Sequence, residues 1–256
     1  MKKQLIFTLL AICVSSLACQ PVAPSRAGTR ISACSEIVLN VRILQSGALP
    51  EYLVLTGKKQ GNEFDVSQYF SVLTHISMQE GYSLDYIYQS DDLGGYPLLY
   101  AHPVDQAPFA STADIPENTE LLDFHEYINV EDTERGYFEY VAMDIMADQF
   151  YLFWHANYND TTIVCNRQQL YDIVAQLNTG EFGNVLDSDE RAKARILRNI
   201  VPVVRLTENT ALVEVVTFTK WGGFYRLTYT ISREVPHNII EIKQENILPY
   251  DCGVAF

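Results

Sequence analysis

Phe224-Tyr225-Arg226-Leu227-Thr228-Tyr229-Thr230-Ile231-Ser232-Arg233 decides how the second half of this chain is read. Tyr225, Leu227, Tyr229 and Ile231 alternate with Arg226, Thr228, Thr230 and Ser232. This is the period of two expected of a strand with one covered and one wet face. Similar runs flank it at Asn199 to Leu206, Ala211 to Thr219 and Asn238 to Gln244. Turn signals separate them at Glu208-Asn209, Trp221-Gly222-Gly223 and Pro236-His237-Asn238. Four strands joined by hairpin-length turns predict an antiparallel β-meander.

Upstream of the meander the pattern changes. Asn166 with Gln169 marks the start of a helix that buries Leu170, Ile173, Val174 and Leu177 and stops near Gly180. A second helix, about Asp189 to Arg198, puts Arg191, Arg195 and Arg198 on one face. A third is predicted from the Asp65/Gln68 capping box, with Val66, Tyr69, Phe70, Leu73 and Ile76 on one face up to Gly81. Tyr82 to Gln89 and Tyr96 to Ala101 read as a hairpin around Asp91-Asp92-Leu93-Gly94-Gly95. Glu36 to Leu44, Tyr137 to Ile145, Gln149 to Tyr158 and Thr161 to Cys165 read as further strands. Strands and helices therefore come in runs, not in βαβ alternation. The expected class is α+β, mainly antiparallel, with a C-terminal β-meander and about three amphipathic helices. His102 to Gly136 has three prolines and no sustained period, so a subdomain boundary is expected within 102–136 of a globular unit spanning 34–256.

The net charge of −14 is unevenly spread. Gln60 to Glu134 contains fifteen acids and no Lys or Arg, while the remaining seventeen acids face eighteen bases. Nucleic-acid binding needs a basic footprint and is not expected. Arg191, Arg195 and Arg198 form the one compact basic face in the sequence and are the candidates for docking against the acidic stretch, but a mostly solvated acidic surface with at most partial docking is expected.

The first residues set the compartment. Lys2 and Lys3 precede the apolar run Leu5 to Val14, which ends in Ser15-Ser16-Leu17-Ala18. That order of charge, apolar core and small residues is a secretory signal over residues 1–18, shorter than the ~20 residues a membrane-spanning helix needs. Ser16-Leu17-Ala18-Cys19 resembles the lipobox of bacterial lipoproteins, with Ser16 where that family usually has Leu. The resemblance implies that Cys19 carries the lipid and anchors the chain to a cell-envelope membrane. Ser16 and Ala18 also suit a general signal peptidase, which would cut the same bond and release a secreted protein. Residues 19–33, poor in large apolar side chains and broken by Pro21 and Pro24, read as a flexible tether.

Cys34, Cys165 and Cys252 remain for an oxidising compartment. A Cys34–Cys252 bridge is expected, because domain termini often lie close together. Cys165 with Cys252 is the competing pair.

No nucleophile elbow, phosphate-binding glycine loop, HExxH helix or EF-hand loop occurs in the sequence. His102, Asp105, Asp123, His125 and Glu126 are the one cluster of metal-ligand types, and their oxygen-rich loop suits calcium. His75 and His155 are isolated histidines of the kind that can serve as general bases. Trp154, Tyr158, Trp221, Phe224 and Tyr225 are candidates for a sugar-stacking platform. The sequence thus points to a lipid-anchored extracytoplasmic binding or interaction domain with a protein or carbohydrate partner. The alternative is a carboxylate-dependent hydrolase acting on envelope or extracellular substrates.

Overall fold

The computed structural model describes residues 28–91, 93–155, 160–180 and 183–253. In chain order, β1 (Thr29–Arg30) precedes α1 (Cys34–Leu44), α2 (Glu51–Thr56), a 3-10 turn at Val66–Gln68, α3 (Tyr69–Val72) and β2 (Ile76–Met78). The hairpin β3 (Tyr82–Asp91) and β4 (Gly94–Pro103) leads through two 3-10 turns to β5 (Ile128–Val130) and α4 (Glu134–Met146). β6 (Phe153–Trp154), β7 (Thr162–Ile163), α5 (Arg167–Leu177) and α6 (Ser188–Ile196) follow. The meander β8 (Val203–Leu206), β9 (Thr210–Thr219), β10 (Gly223–Ser232) and β11 (Ile239–Pro249) completes an α+β fold whose sheets are antiparallel.

The large sheet has the order β1-β8-β9-β10-β11, with β7 paired to the far end of β9. β9 explains why one strand can lack strict alternation. Ala211, Val213 and Val215 enter the main core, while Val216 and Phe218 point into a second core built by α5, α6 and the ends of β10 and β11. The sheet is therefore covered on opposite faces towards its two ends. Two smaller sheets, β2-β5 and β3-β4-β6, complete the first half.

Helix α4 packs on β7, β8 and β9 and against α1, β2 and β5. It corrects the strand expected at Tyr137 to Ile145. Nearly every residue from Gly136 to Met146 is buried, Glu139 included. A helix apolar all round carries no amphipathic period, so its sequence reads as a buried strand. The strand expected at Glu36 to Leu44 is likewise helix α1. Ile37, Val38 and Val41 are buried, and the apparent alternation arises because Leu39 and Ile43 are each 58% exposed on its other side.

The helix expected from Asp65 to Gly81 starts where predicted and stops early. Asp65 accepts a hydrogen bond from Ser67 N (2.9 Å), but the chain leaves helical geometry at Leu73. The N–H of His75 is taken by the Glu139 carboxylate (2.7 Å) instead of a carbonyl one turn back, and Ile76 then pairs with Val130. In the expected strand at Gln149 to Tyr158 only Phe153–Trp154 is β, and 156–159 lie outside the described residues.

Three expectations about organisation need correction or placing. The residues expected to form the signal, Cys19 and most of the expected tether lie outside the described residues. The tether does not reach 33, because Thr29 and Arg30 pair with Val204 and Val203, and Ile31 is buried. The main core takes residues from both sides of 102–136, so no boundary divides the core there. The expected Cys34–Cys252 bridge is replaced by Cys34–Cys165, with a Cα separation of 5.5 Å, and this also excludes Cys165–Cys252. Cys252 is free and buried in the second core, whereas Cys34 opens α1 on the first.

Candidate functional site

Directly opposed residues of an antiparallel pair share a face. In the β3-β4 hairpin Ser83 faces His102, Asp85 faces Tyr100, Ile87 faces Leu98 and Gln89 faces Tyr96. Tyr96 (39%) and Leu98 (40%) are exposed, and Trp154 (52% exposed) joins them at the tip by pairing opposite Gly94 on β6. A Cβ on Gly95 would lie 2.3 Å from the Tyr88 hydroxyl, which donates to Tyr151 O (2.8 Å). Trp154 holds φ at +49°, an uncommon conformation for a bulky residue, with its ring 4.2 Å from that of His155.

The other end of the hairpin opens into a cleft of about 650 Å³, lined among others by Lys59, Glu63, Asp85, Tyr86, His102 and Phe109. Its wall is set by the end of α2. Gly57 adopts the left-handed conformation (φ +62°) that caps the helix and turns the chain across the hairpin, after which Lys59 N donates to Ala110 O (2.8 Å). Lys59 Nζ ion-pairs with Asp85 and lies 4.7 Å from the centre of the Tyr86 ring, a cation–π arrangement. Asp85 also accepts from Tyr86 N (2.6 Å).

Glu63 is fixed just as firmly. It accepts from Tyr52 Oη (2.6 Å) and from the N–H groups of Gln60 (2.5 Å) and Gly61 (2.8 Å). Burial pulls its pKa upward, but these donors outweigh burial and leave it below the ordinary Glu value. Tyr52 moves the opposite way, up to about 12, through burial and the Glu63 contact. Burial also raises the Tyr86 phenol, so it stays protonated, and its buried hydroxyl has no hydrogen-bond partner among the described residues.

The residues singled out as metal ligands divide between two places. His102 lines the cleft with its Nδ1 2.9 Å from Pro103 O, and Asp105 is exposed in the turn after β4. Asp123 and His125 do meet, at 2.7 Å, while Glu126 meets Asp123 through its backbone N–H, which donates to Asp123 O (3.2 Å), and not through its carboxylate. The third member of that cluster is Asp144 on α4, which the sequence reading missed. Its Oδ1 is 3.1 Å from His125 Nε2, whose N–H is not aligned on the oxygen, and its Oδ2 accepts from Tyr229 Oη (2.7 Å). Among the described residues no group of three or more His, Cys, Asp or Glu is placed to hold a metal ion. The cluster instead ties the acidic segment to α4 and β10.

His125 gives this tie a pH dependence. Burial lowers its pKa, yet Asp144 and then Asp123 outweigh burial and raise it above the ordinary histidine value. A raised folded-state pKa means the stabilisation is complete below about pH 6.5 and is lost as pH rises through the higher folded value. Urea unfolding at several pH values should show wild type losing its advantage over His125→Gln as pH rises. A gap that stays constant from pH 5.5 to 8.5 would rule this out.

Arg191, Arg195 and Arg198, the candidates for docking, make no ion pair with the acidic stretch among the described residues, in keeping with the mostly solvated acidic surface expected. Arg233 supplies the contact, with two bonds to Asp132 (2.8 and 2.5 Å). His75 is held by Glu139 (3.1 Å) and faces Glu131 (3.6 Å). The aromatic set also disperses. Phe224 is buried, Trp221 and Tyr225 are half-buried on the large sheet, Tyr158 lies outside the described residues, and only Trp154 belongs to the exposed strip. Lys59, Glu63, Asp85, Tyr96 and Leu98 were not foreseen. The hairpin register, which puts odd residues of β3 and even residues of β4 on one face, was a signal for Asp85, Tyr96 and Leu98 but not for Lys59 and Glu63. No family model, curated relative or solved structure matches this chain.

Proposed function

We propose that this chain is a lipid-anchored extracytoplasmic binding domain whose ligand-binding face is the outer face of the β3-β4-β6 sheet with its cleft. The observation that carries the reading is an exposed apolar strip and a polar cleft carried by one hairpin. Exposed Tyr96 and Leu98, with Trp154 at the tip, lie on the hairpin face that carries Asp85 and His102 of the cleft, and buried Ile87 and Tyr100, the latter stacked against Phe109, separate the apolar strip from the polar concavity. Single exposed aromatics are common, but an exposed apolar strip on the same hairpin as a cleft of ligand size marks a candidate recognition site.

The cleft carboxylates favour holding a ligand over acid catalysis. A general acid needs a raised pKa, whereas Glu63 lies below its ordinary value and Asp85 is engaged by Lys59. The anchor rests on the resemblance of Ser16-Leu17-Ala18-Cys19 to a lipobox.

Two measurements test the proposal. The full chain expressed in a bacterium should partition into the detergent phase, and Cys19→Ala should move it to the aqueous phase, since two acyl chains anchor stably where one does not. An unchanged partition would end the anchor reading. Nuclear magnetic resonance screening of residues 28–256 against a chemically mixed library should then perturb Tyr96, Leu98, Trp154 and Asp85 together. A library that perturbs none of them at millimolar concentration would end the binding-face reading.

A further inference from the structure

Three features of the cleft bear on what it binds. The first is charge. Its lining includes Glu63, Asp65 and Asp85 against the single base Lys59, and no other Lys or Arg occurs until Arg135. The second is the aromatic floor. The Tyr86 ring lies under an ammonium, and Phe64 and Phe109 line the walls. The third is that an ammonium already occupies the strongest position. Lys59 Nζ meets Asp85 and the Tyr86 ring at once, with its side chain only 12% exposed.

A ring face and a fixed carboxylate together are the chemistry that recognises an alkylammonium group. The carboxylates keep their orientation without the ligand, because Asp85 is held by Tyr86 N and Glu63 by three donors. The carboxylates therefore need little reorganisation, and the cost of recognition lies in displacing Lys59. Lys59 has its backbone fixed at Ala110, and its ammonium is carried on a flexible four-carbon stem, so it can be displaced without moving the chain.

We propose that the cleft recognises an alkylammonium group, which takes the position of the Lys59 ammonium on Asp85 and Tyr86. Lys59 is then a built-in competitor that closes the cleft when no ligand is present. This inference rests on the binding-face reading and specifies its ligand. The ammonium can come from a free amine or from a lysine side chain of a basic peptide. In the second case neighbouring apolar residues of the peptide lie on Tyr96, Leu98 and Trp154.

The test is a titration of the folded domain, residues 28–256, followed by nuclear magnetic resonance. The probes are n-butylamine, the peptide acetyl-Leu-Lys-Trp-amide, the same peptide acetylated on its lysine, and the same peptide with Glu in place of Lys. The lysine peptide should perturb Asp85 and Tyr86, and Asp85→Asn should weaken it about tenfold or more. Lys59→Met should strengthen it, because the competitor is gone. Butylamine as strong as the peptide would identify a free amine as the source, and a tighter peptide would identify a polypeptide.

Should Lys59→Met prove unstable, its melting temperature should rise on adding butylamine and not on adding butyrate. No such rise would overturn the proposal. Equal binding of the acetylated or Glu peptide at Asp85 would overturn the alkylammonium assignment and leave the binding face standing. Silence from all four probes at Asp85, with other library compounds still perturbing the face, would also overturn it.

Discussion

Reduction of the Cys34–Cys165 bridge is expected to lower the unfolding free energy by about 4 to 5 kcal/mol in the chain-entropy model, and somewhat less where the reduced chain keeps residual structure. The bridge spans 131 residues, more than half of the described chain, and joins the first turn of α1 to the residue before the Asn166 cap of α5. Both cysteines are buried in the main core, so the link acts where α1, α4 and β7 meet. Cys34→Ser should reproduce the loss, and Cys252→Ser should cost only about 1 kcal/mol, as expected of a small buried side chain. Urea unfolding with and without reductant measures the difference. Equal midpoints in the two conditions would contradict the assignment, as would a Cys34–Cys252 peptide in an unreduced digest.

Glu139→Ala is expected to cost about 3 kcal/mol. Glu139 is fully buried in the middle of α4, yet it is surrounded by donors: His75 N at 2.7 Å, Arg135 Nε at 2.8 Å and His75 Nδ1 at 3.1 Å. Removing the carboxylate strands these donors and leaves a void in the core, and a group left unsatisfied costs more than the bond was worth. It also releases the N–H whose capture ends the helix before β2. Glu139→Gln keeps the shape and one acceptor, so it should cost clearly less. A loss below about 0.5 kcal/mol for Glu139→Ala in urea unfolding would mean that the carboxylate is not what holds His75 and α4 together.

Legibility followed the relation of each element to water. β9 and β10 were readable because one face is wet over much of their length, and α5 because Asn166 really does cap it, accepting from Gln169 N at 2.9 Å. α6 begins at the capping box of Asp187 and Glu190, with its first helical residue, Ser188, one position before the expected Asp189. α4 was unreadable for the opposite reason: with water on no side, its sequence has no period to read. α1 failed because Leu39 and Ile43 are apolar yet exposed, which turned a helical stripe into an alternating one. The cleft depends on Lys59, Asp85 and Phe109, which come from three separate segments and carry no mutual spacing. The disulfide is in the same class, since pairing is set by which core each cysteine enters and three cysteines in sequence do not encode that.

The placement of the two cores on opposite faces of β9 bears on how the molecule comes apart. Val213 and Val215 belong to one core and Val216 and Phe218 to the other, so neither can dissolve without exposing the back of the strand that supports its neighbour. Two hydrophobic clusters with separate helices would ordinarily suggest two melting events. A shared strand couples them into one cooperative unit, and a calorimetric trace should show a single peak whose van't Hoff and calorimetric enthalpies agree.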